Sequence, residues 1–225
     1  DKLTFLVNTE FYKNTSAKSS MIFLSRYAPL SFDSMELFDR NYKRSFTSND
    51  LTMNNNSFNM QMQALYKLSN NWTSQTVLSK STTKTNGYYH YLWDSANGDE
   101  FTRFISKADG TFYTTDIQQN FIGDFKIGNM RNRLVAGLDY YNSRLINGGS
   151  GWVSNGIVSL VNGTDSGILT QAGTDALLTG SFAGNTEANQ EIMSAYVFDV
   201  LNATNKLSVM VSIRLDYFDG KTSQY

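Results

Sequence analysis

The side chains with the most chemical potential are gathered in one short run, Tyr88-Tyr89-His90-Tyr91-Leu92-Trp93, which holds the only histidine of the chain. A single imidazole, with no cysteine anywhere and no carboxylate cluster beside it, does not make a metal site. Asp165, Asp175 and Glu187 do not have the spacing of a calcium loop. The serines are scattered, Gly-X-Ser-X-Gly is absent, and nothing has the nucleophile–base–orienter pattern, so no enzymatic activity is expected. Gly148-Gly149-Ser150-Gly151-Trp152 and Asn162-Gly163-Thr164-Asp165 lack the Gly-Lys-Ser/Thr of a phosphate loop, and their glycines suit turns. What the aromatic run does suit is binding, since rings offer rigid contact area and faces that meet cationic groups. Tyr88, Tyr89, His90, Tyr91, Trp93 and, in a later Gly-rich segment, Trp152 are the candidate ligand-binding residues. The same rings would also serve to extend a strand and brace a loop.

A second constellation is charged: Arg133, Asp139, Asp199, Arg214 and Asp216. A spacing of two places Arg214 and Asp216 on one face of a strand. Opposed carboxylates and guanidinium groups on neighbouring strands form cross-strand pairs worth roughly 0.2–1 kcal/mol each. These five are expected to line the polar face of a sheet without performing chemistry.

The elements that must position them are strands. Charged residues make up only 17% and aromatics 14%, with abundant Asn, Ser and Thr. Those types suit half-buried strands and polar loops better than helices. The net charge of −1 gives no footprint for nucleic acid. Seven strands are predicted near 2–14, 57–68, 72–84, 113–127, 132–146, 191–202 and 206–219. Leu207, Val209, Val211, Ile213, Leu215 and Tyr217 alternate with Lys206, Ser208, Met210, Ser212, Arg214 and Asp216, and Phe58 to Leu68 does nearly as well. Short links at Ser69-Asn70-Asn71, Gly128-Asn129-Met130-Arg131 and Ala203-Thr204-Asn205 alternate with long ones near 15–56, 85–112 and 147–190. Long loops at one end and short turns at the other mark transmembrane barrels, whose strands alternate apolar-out with polar-in. Tyr66, Trp72, Tyr140 and Tyr217 are placed to form interfacial girdles. No run approaches the roughly 18 apolar residues of a membrane helix. The fold class expected is all-β: an antiparallel up-and-down meander forming part of an outer-membrane β-barrel.

Two stretches resemble the barrel of TonB-dependent siderophore receptors. Asn132-Arg133-Leu134-Val135-Ala136-Gly137-Leu138-Asp139-Tyr140 looks like the family's "RLLAGLDY" strand. Ser194-Ala195-Tyr196-Val197-Phe198-Asp199, with Asn205-Lys206-Leu207-Ser208-Val209 and Ile213-Arg214-Leu215-Asp216-Tyr217-Phe218, looks like its "YLQD … DKLTL … GGRYD-F" hairpin. Asn70-Asn71-Trp72-Thr73 resembles its periplasmic turns. Ser212-Ile213 stands where the family often has Gly-Gly, and Phe198 where Gln is common; neither conflicts with a strand.

The resemblance implies a segment of a receptor that binds and imports ferric siderophores across the outer membrane of a Gram-negative bacterium. Such barrels have about 22 strands around a plugged lumen. The family's plug, energy-coupling box and closing aromatic-terminated strand are absent from these residues, so 1–225 is expected to be part of a barrel only. Implied partners are a ferric siderophore, outer-membrane lipid and, through the missing N-terminal part, the plug and TonB. No cofactor is implied, since iron would arrive as a chelate with its own ligands. A porin-like or glycan- or vitamin-importing barrel shares the alternation and loop asymmetry. A soluble β-sandwich binding module would instead turn its apolar faces toward each other.

Overall fold

The computed structural model describes residues 2–24, 44–95, 99–182 and 184–224. The middle of the first long link, 25–43, thus lies outside the described residues. The chain forms β1 (Leu3–Ala17), β2 (Met21–Phe23), β3 (Thr52–Lys67), β4 (Trp72–Asp94), β5 (Glu100–Ile127), β6 (Met130–Asn147), β7 (Val153–Ser159), one helix α1 (Gln171–Leu178), β8 (Thr186–Asn202) and β9 (Ser208–Gln224). Along the sheet the order is β1-β3-β4-β5-β6-β8-β9, each pair antiparallel. β2 lies parallel beside the far end of β4, and β7 antiparallel beside the start of β5. The sheet is not closed; β1 and β9 are its edges. The seven strands expected from alternation form this path, and β2, β7 and α1 are additions within the long links.

Register defines the two faces. Leu215 lies opposite Ala195, and Ala195 opposite Leu138. The next outward row runs Ile213, Val197, Ala136 and Phe121. Val211 and Arg214 therefore point to opposite sides, as the alternation of β9 requires; Leu207 just precedes the strand. On β9 the apolar face runs from Val209 to Tyr217, and Asp219 and Lys221 follow on that face. This matches the nine to eleven residues a tilted strand needs to cross a bilayer. Tyr66, Trp72, Tyr140 and Tyr217 all fall on the apolar face, and Trp72 stacks on Phe125 with ring centroids 5.6 Å apart. Within the band, Ser74, Thr76 and Gln119 satisfy one another: the Thr76 hydroxyl donates to Gln119 Oε1 (2.6 Å) and Gln119 Nε2 donates to Ser74 Oγ (2.9 Å). The opposite face is mainly polar, with some apolar residues such as Leu6, Leu65, Val77 and Val135.

The link 85–112, expected as a loop, is instead the upper half of a long hairpin. β4 has 23 residues and β5 has 28, paired without a break from Trp72↔Gly123 to Asp94↔Phe101. Both faces of this extension carry large side chains, because both are covered or partly covered. A strand of that kind reads as a continuous apolar run and hides its period of two. Asn70, Asn129 and Thr204 lie at the short-turn end, while His90 and Trp152 lie at the other.

Gly87 marks the point where β3 ends beside β4. Its φ is +146°, and a Cβ there would collide with the Thr52 carbonyl and lie 2.7 Å from Met53 Cα. Gly87→Ala is therefore expected to destabilise the root of the hairpin by about 1–3 kcal/mol, the range for a strained backbone position. A lower temperature of protease cleavage near residue 87 would register this, and an unchanged value would show that the strand relaxes around the methyl group.

Candidate functional site

Above the apolar band the β4–β5 hairpin has two distinct faces. Tyr88, His90, Leu92 and Asp94 alternate on one, opposite Lys107, Ile105, Arg103 and Phe101. This face is buried beneath a cap made by residues 44–51, the segment 160–168 and α1. Leu51, Tyr88, Ile105 and Leu178 form one apolar cluster, and Leu92, Phe101, Val158 and Leu160 form another. α1 starts at Thr170, whose side chain accepts from the Gly173 N–H, and it buries Thr174 and Leu178.

Two polar clamps hold the cap. Arg103 is fully buried and makes a two-pronged ion pair with Asp165, Nη1 lying 2.8 Å from Oδ1 and Nη2 bonded to Oδ2. Nη2 also donates to the Phe46 carbonyl at 3.0 Å. At the second clamp the Tyr88 hydroxyl and Lys107 Nζ each donate to Asp175 Oδ1 at 2.7 Å, and the ammonium lies 5.2 Å from the Tyr88 ring centre. Burial pushes the Tyr88 phenol up, and its bond to Asp175 adds to that. Burial alone would also raise the Asp175 carboxyl, but the bonds from Lys107 and Tyr88 outweigh it and hold it below its ordinary value.

The other face carries Tyr89, Tyr91 and Trp93 opposite Ser106, Phe104 and Thr102. Tyr91 is the centre of an aromatic platform. Its ring centroid lies 4.7 Å from Trp152, 5.1 Å from Phe104 (stacked) and 5.4 Å from Phe23 (edge-on). Trp93 adds its ring 5.8 Å from Phe23. Trp93, Trp152, Phe23 and Tyr89 keep between 39% and 50% of their surface exposed, so the platform is open to a ligand. By alternation along β4 it continues the polar face, sharing the side of Gln75 and Ser79.

The six expected ligand-binding residues are thus divided. Tyr89, Tyr91, Trp93 and Trp152 are on or beside the platform. Tyr88 and His90 are each 3% exposed and face the cap, on the side of the strand opposite the platform. Alternation within a strand separates neighbours, and the run was expected as a loop, where that rule does not apply. Phe23 and Phe104 of the platform, and Arg103 and Lys107 of the clamps, were not singled out. Phe101, Arg103 and Ile105 alternating with Thr102 and Phe104 was the available signal for the second strand.

Lower down, the polar face carries a hydrogen-bonded belt. Arg214 donates to Asp139 (2.9 Å), Asp216 (2.7 Å) and Ser194 (2.8 Å), and its guanidinium lies over the Tyr196 ring. The Tyr196 hydroxyl donates to Asn120 Oδ1 at 2.5 Å, and Asn120 donates to Gln75 at 3.1 Å. Tyr196 reaches across β6 because Gly137 lies beneath it; a Cβ there would stand 2.5 Å from both Tyr196 Cε2 and Asn120 Oδ1. Arg133 shares this face, opposite Asp124. Asp199 does not. Its register partners are Leu134 and Val211, so it lies on the apolar face near the short-turn end. The alternation of β8 is weak, with apolar residues on both sides, and the sequence does not fix its facing.

Among the described residues no group of three or more His, Cys, Asp or Glu is placed to hold a metal ion. No family model and no curated protein matches the chain. Solved structures do. BauA, the ferric preacinetobactin receptor from Acinetobacter baumannii, superposes with a TM-score of 0.78 at 13% identity, over 99% of this chain and 32% of its own. The ferric-catecholate import receptor Fiu from E. coli K12, in its closed form, gives 0.75 at 14% identity, over 99% and 33%. FpvAI, in its complex with pyocin S2, gives 0.71 at 11%, over 100% and 30%. The chain spans about a third of the length of these receptors. At such identities the likeness is one of fold: this chain is folded as a segment of the β-barrel of TonB-dependent siderophore receptors.

Proposed function

We propose that this chain is the wall and part of the outer loops of a TonB-dependent receptor that binds and imports ferric siderophores across the outer membrane of a Gram-negative bacterium. The observation that carries this reading is the aromatic platform of Phe23, Tyr91, Trp93, Phe104 and Trp152, open at its rim and set on the lumen side above the apolar band. A ferric chelate is large, partly aromatic or apolar on its surface, and carries its own iron ligands. Ring faces in a rigid array suit it without any protein group bonding the metal. The polar belt below suits a wetted wall facing a plug, and the apolar face suits outer-membrane lipid. The plug, the link to TonB and the remaining strands belong to the rest of the receptor, since a closed barrel leaves no free edge.

The test is the intact receptor carrying Tyr89→Ala, Trp93→Ala and Trp152→Ala together, assayed with a panel of iron-55-labelled catecholate and hydroxamate chelates. Whichever chelate the parent receptor takes up is expected to bind the variant on the order of a hundredfold more weakly, as two or three lost ring contacts imply. Heat-modifiable mobility of the folded barrel should be unchanged. Full-strength binding by the assembled variant would move the ligand site elsewhere.

A further inference from the structure

We infer that the aromatic platform accepts a neutral or cationic chelate of the tris-hydroxamate class and rejects polyanionic ferric catecholates. The inference rests on the siderophore-receptor reading above and narrows the ligand of that same platform. Three hydroxamates, each singly charged, neutralise ferric iron, whereas three catecholates, each doubly charged, leave a trianion. The sign of the charge along the wall therefore separates the two classes.

The platform side of the hairpin is aromatic and apolar at its centre and hydroxyl-bearing or acidic at its rim. Met21 and Phe23 lie beside Tyr91 and Trp93, Ile157 beside Thr102, and Ser154 beside Phe104. Met21, Ile157 and Ser154 are exposed. The hydroxyls of Ser95 and Thr102 are hydrogen-bonded at 3.0 Å. Glu100 shares the side of Thr102 on β5, about 7 Å further along, and is exposed. Register turns Lys13, Lys80, Lys84, Arg144 and Lys221 to the outer face. Arg103 and Lys107 are held in the clamps of the cap, behind the rings. On the described strands, no lysine or arginine shares the platform's side from the row of Asp116 upward. Lys18 lies off the strands, between β1 and β2.

Below the platform the wall is mostly uncharged, with amides and hydroxyls such as Asn14, Asn55 and Thr85, until Glu10 beside Asn59 and Asp116 beside Ser79. Neither carboxylate is in an ion pair among the described residues. The guanidinium met next on the way down is Arg214, whose charge is already matched by Asp139 and Asp216. Glu10 and Asp116 lie about 30 Å below Tyr89, several Debye lengths away, so they act on a descending chelate and not on one resting on the rings. At the platform itself the ring faces are negative and attract cations. A trianion is thus opposed at each stage, while a neutral chelate with a pendant ammonium is favoured.

The test titrates the intact receptor in detergent with one chelate at three charges: ferrioxamine B, which carries a pendant ammonium, its neutral N-acetyl form and its anionic N-succinyl form. Ferric enterobactin supplies the trianion. Affinity is expected to fall along the ferrioxamine series, the anionic form binding about fivefold more weakly than the cationic one. The trianion should bind more weakly again, by on the order of a hundredfold. Ser154→Lys, which adds a cation at the exposed rim, should flatten the series and raise affinity for the trianion about fivefold. Ferrioxamine binding that ignores charge, or that follows the reverse order, would overturn the charge selection. Tight binding of the trianion alone would overturn it too, and would leave the siderophore reading standing. Binding of no ferric chelate, across these and the wider catecholate and hydroxamate panel, would instead defeat the siderophore reading beneath it, a separate and distinguishable failure.

Discussion

Replacing Arg103 with leucine is expected to detach the segment 160–168 and loosen the whole cap, at a cost on the order of 3–5 kcal/mol. The guanidinium is fully buried and is the hub of three otherwise unrelated pieces of chain. It bonds Asp165 by two prongs, the Phe46 carbonyl from the loop before β3, and the Asn155 carbonyl on β7 at 3.5 Å. Leucine fills much of the space but leaves the Asp165 carboxylate, 19% exposed, without its counter-charge. Such an orphaned anion is costly in a way that removing the whole pair is not. The double variant Arg103→Leu, Asp165→Leu should therefore recover most of the loss. Hydrogen exchange over 160–168 in the intact receptor would measure both. The barrel should be unaffected, since the clamp lies above its apolar band. Equal protection in wild type and Arg103→Leu would mean that the two apolar clusters hold the cap unaided. If the cap braces the platform from behind, chelate affinity should fall with cap protection, although Arg103 faces away from the ligand.

The barrel segment was legible in the sequence wherever one face of a strand meets an apolar medium and the other a polar one. β9 is the clearest case: Val209 to Tyr217 and Ser208 to Asp216 sort without error, and Arg214 is found where the alternation puts it. The spacing of short and long links set the two ends correctly. Legibility failed above the band. There the hairpin is covered by α1 and the 160–168 segment on one side and carries a ring platform on the other, so Tyr88 to Trp93 has large, mostly aromatic side chains on both faces and reads as an aromatic loop. Half of its interest lies in which ring faces which way, and that follows only once the run is known to be a strand. Asp199 shows the converse limit. In β8, Tyr196, Phe198 and Val200 on one face compete with Ala195, Val197 and Leu201 on the other, and a charged residue seen next to such a pattern gives no reliable facing. The register against Leu134 and Val211 decides it. The aromatic platform needed long-range information of another kind, since Phe23, Tyr91, Phe104 and Trp152 come from four separate elements or links.

Acidification between pH 6.5 and 4 is expected to loosen the cap, and His90→Phe to abolish most of that dependence. His90 is 3% exposed, lies opposite Ile105 within the capped face, and neither ring nitrogen has a hydrogen-bond partner among the described residues. Burial first, and the nearby Arg103 charge second, depress its pKa from 6.5 to about 4. The other charged groups on the capped side are Asp94 on its own strand, Arg103 and Lys107 on β5, Asp165, Asp175 on α1, and Arg44 and Asp50 in the segment 44–51, Arg44 donating to the Gly163 carbonyl. In an opened cap the imidazole would titrate near its ordinary value, so over this interval the open state takes up the proton and the closed state does not. The part of cap stability linked to His90 is therefore full above pH 6.5, declines as pH falls, and is lost once pH passes below about 4. A depression of that size corresponds to about 3 kcal/mol. Asp175 is bonded in the closed cap and held below its ordinary value, so its contribution disappears at still lower pH, in a separate window. Phenylalanine keeps the volume of the ring and removes the titration, so the variant should hold its cap protection nearly constant from pH 6.5 to 4. Hydrogen exchange of α1 and the 160–168 segment, followed across that range with intrinsic rates corrected for pH, is the measurement. A wild-type profile as flat as that of His90→Phe would show that water or a neighbour reaches the imidazole and that burial does not hold it neutral.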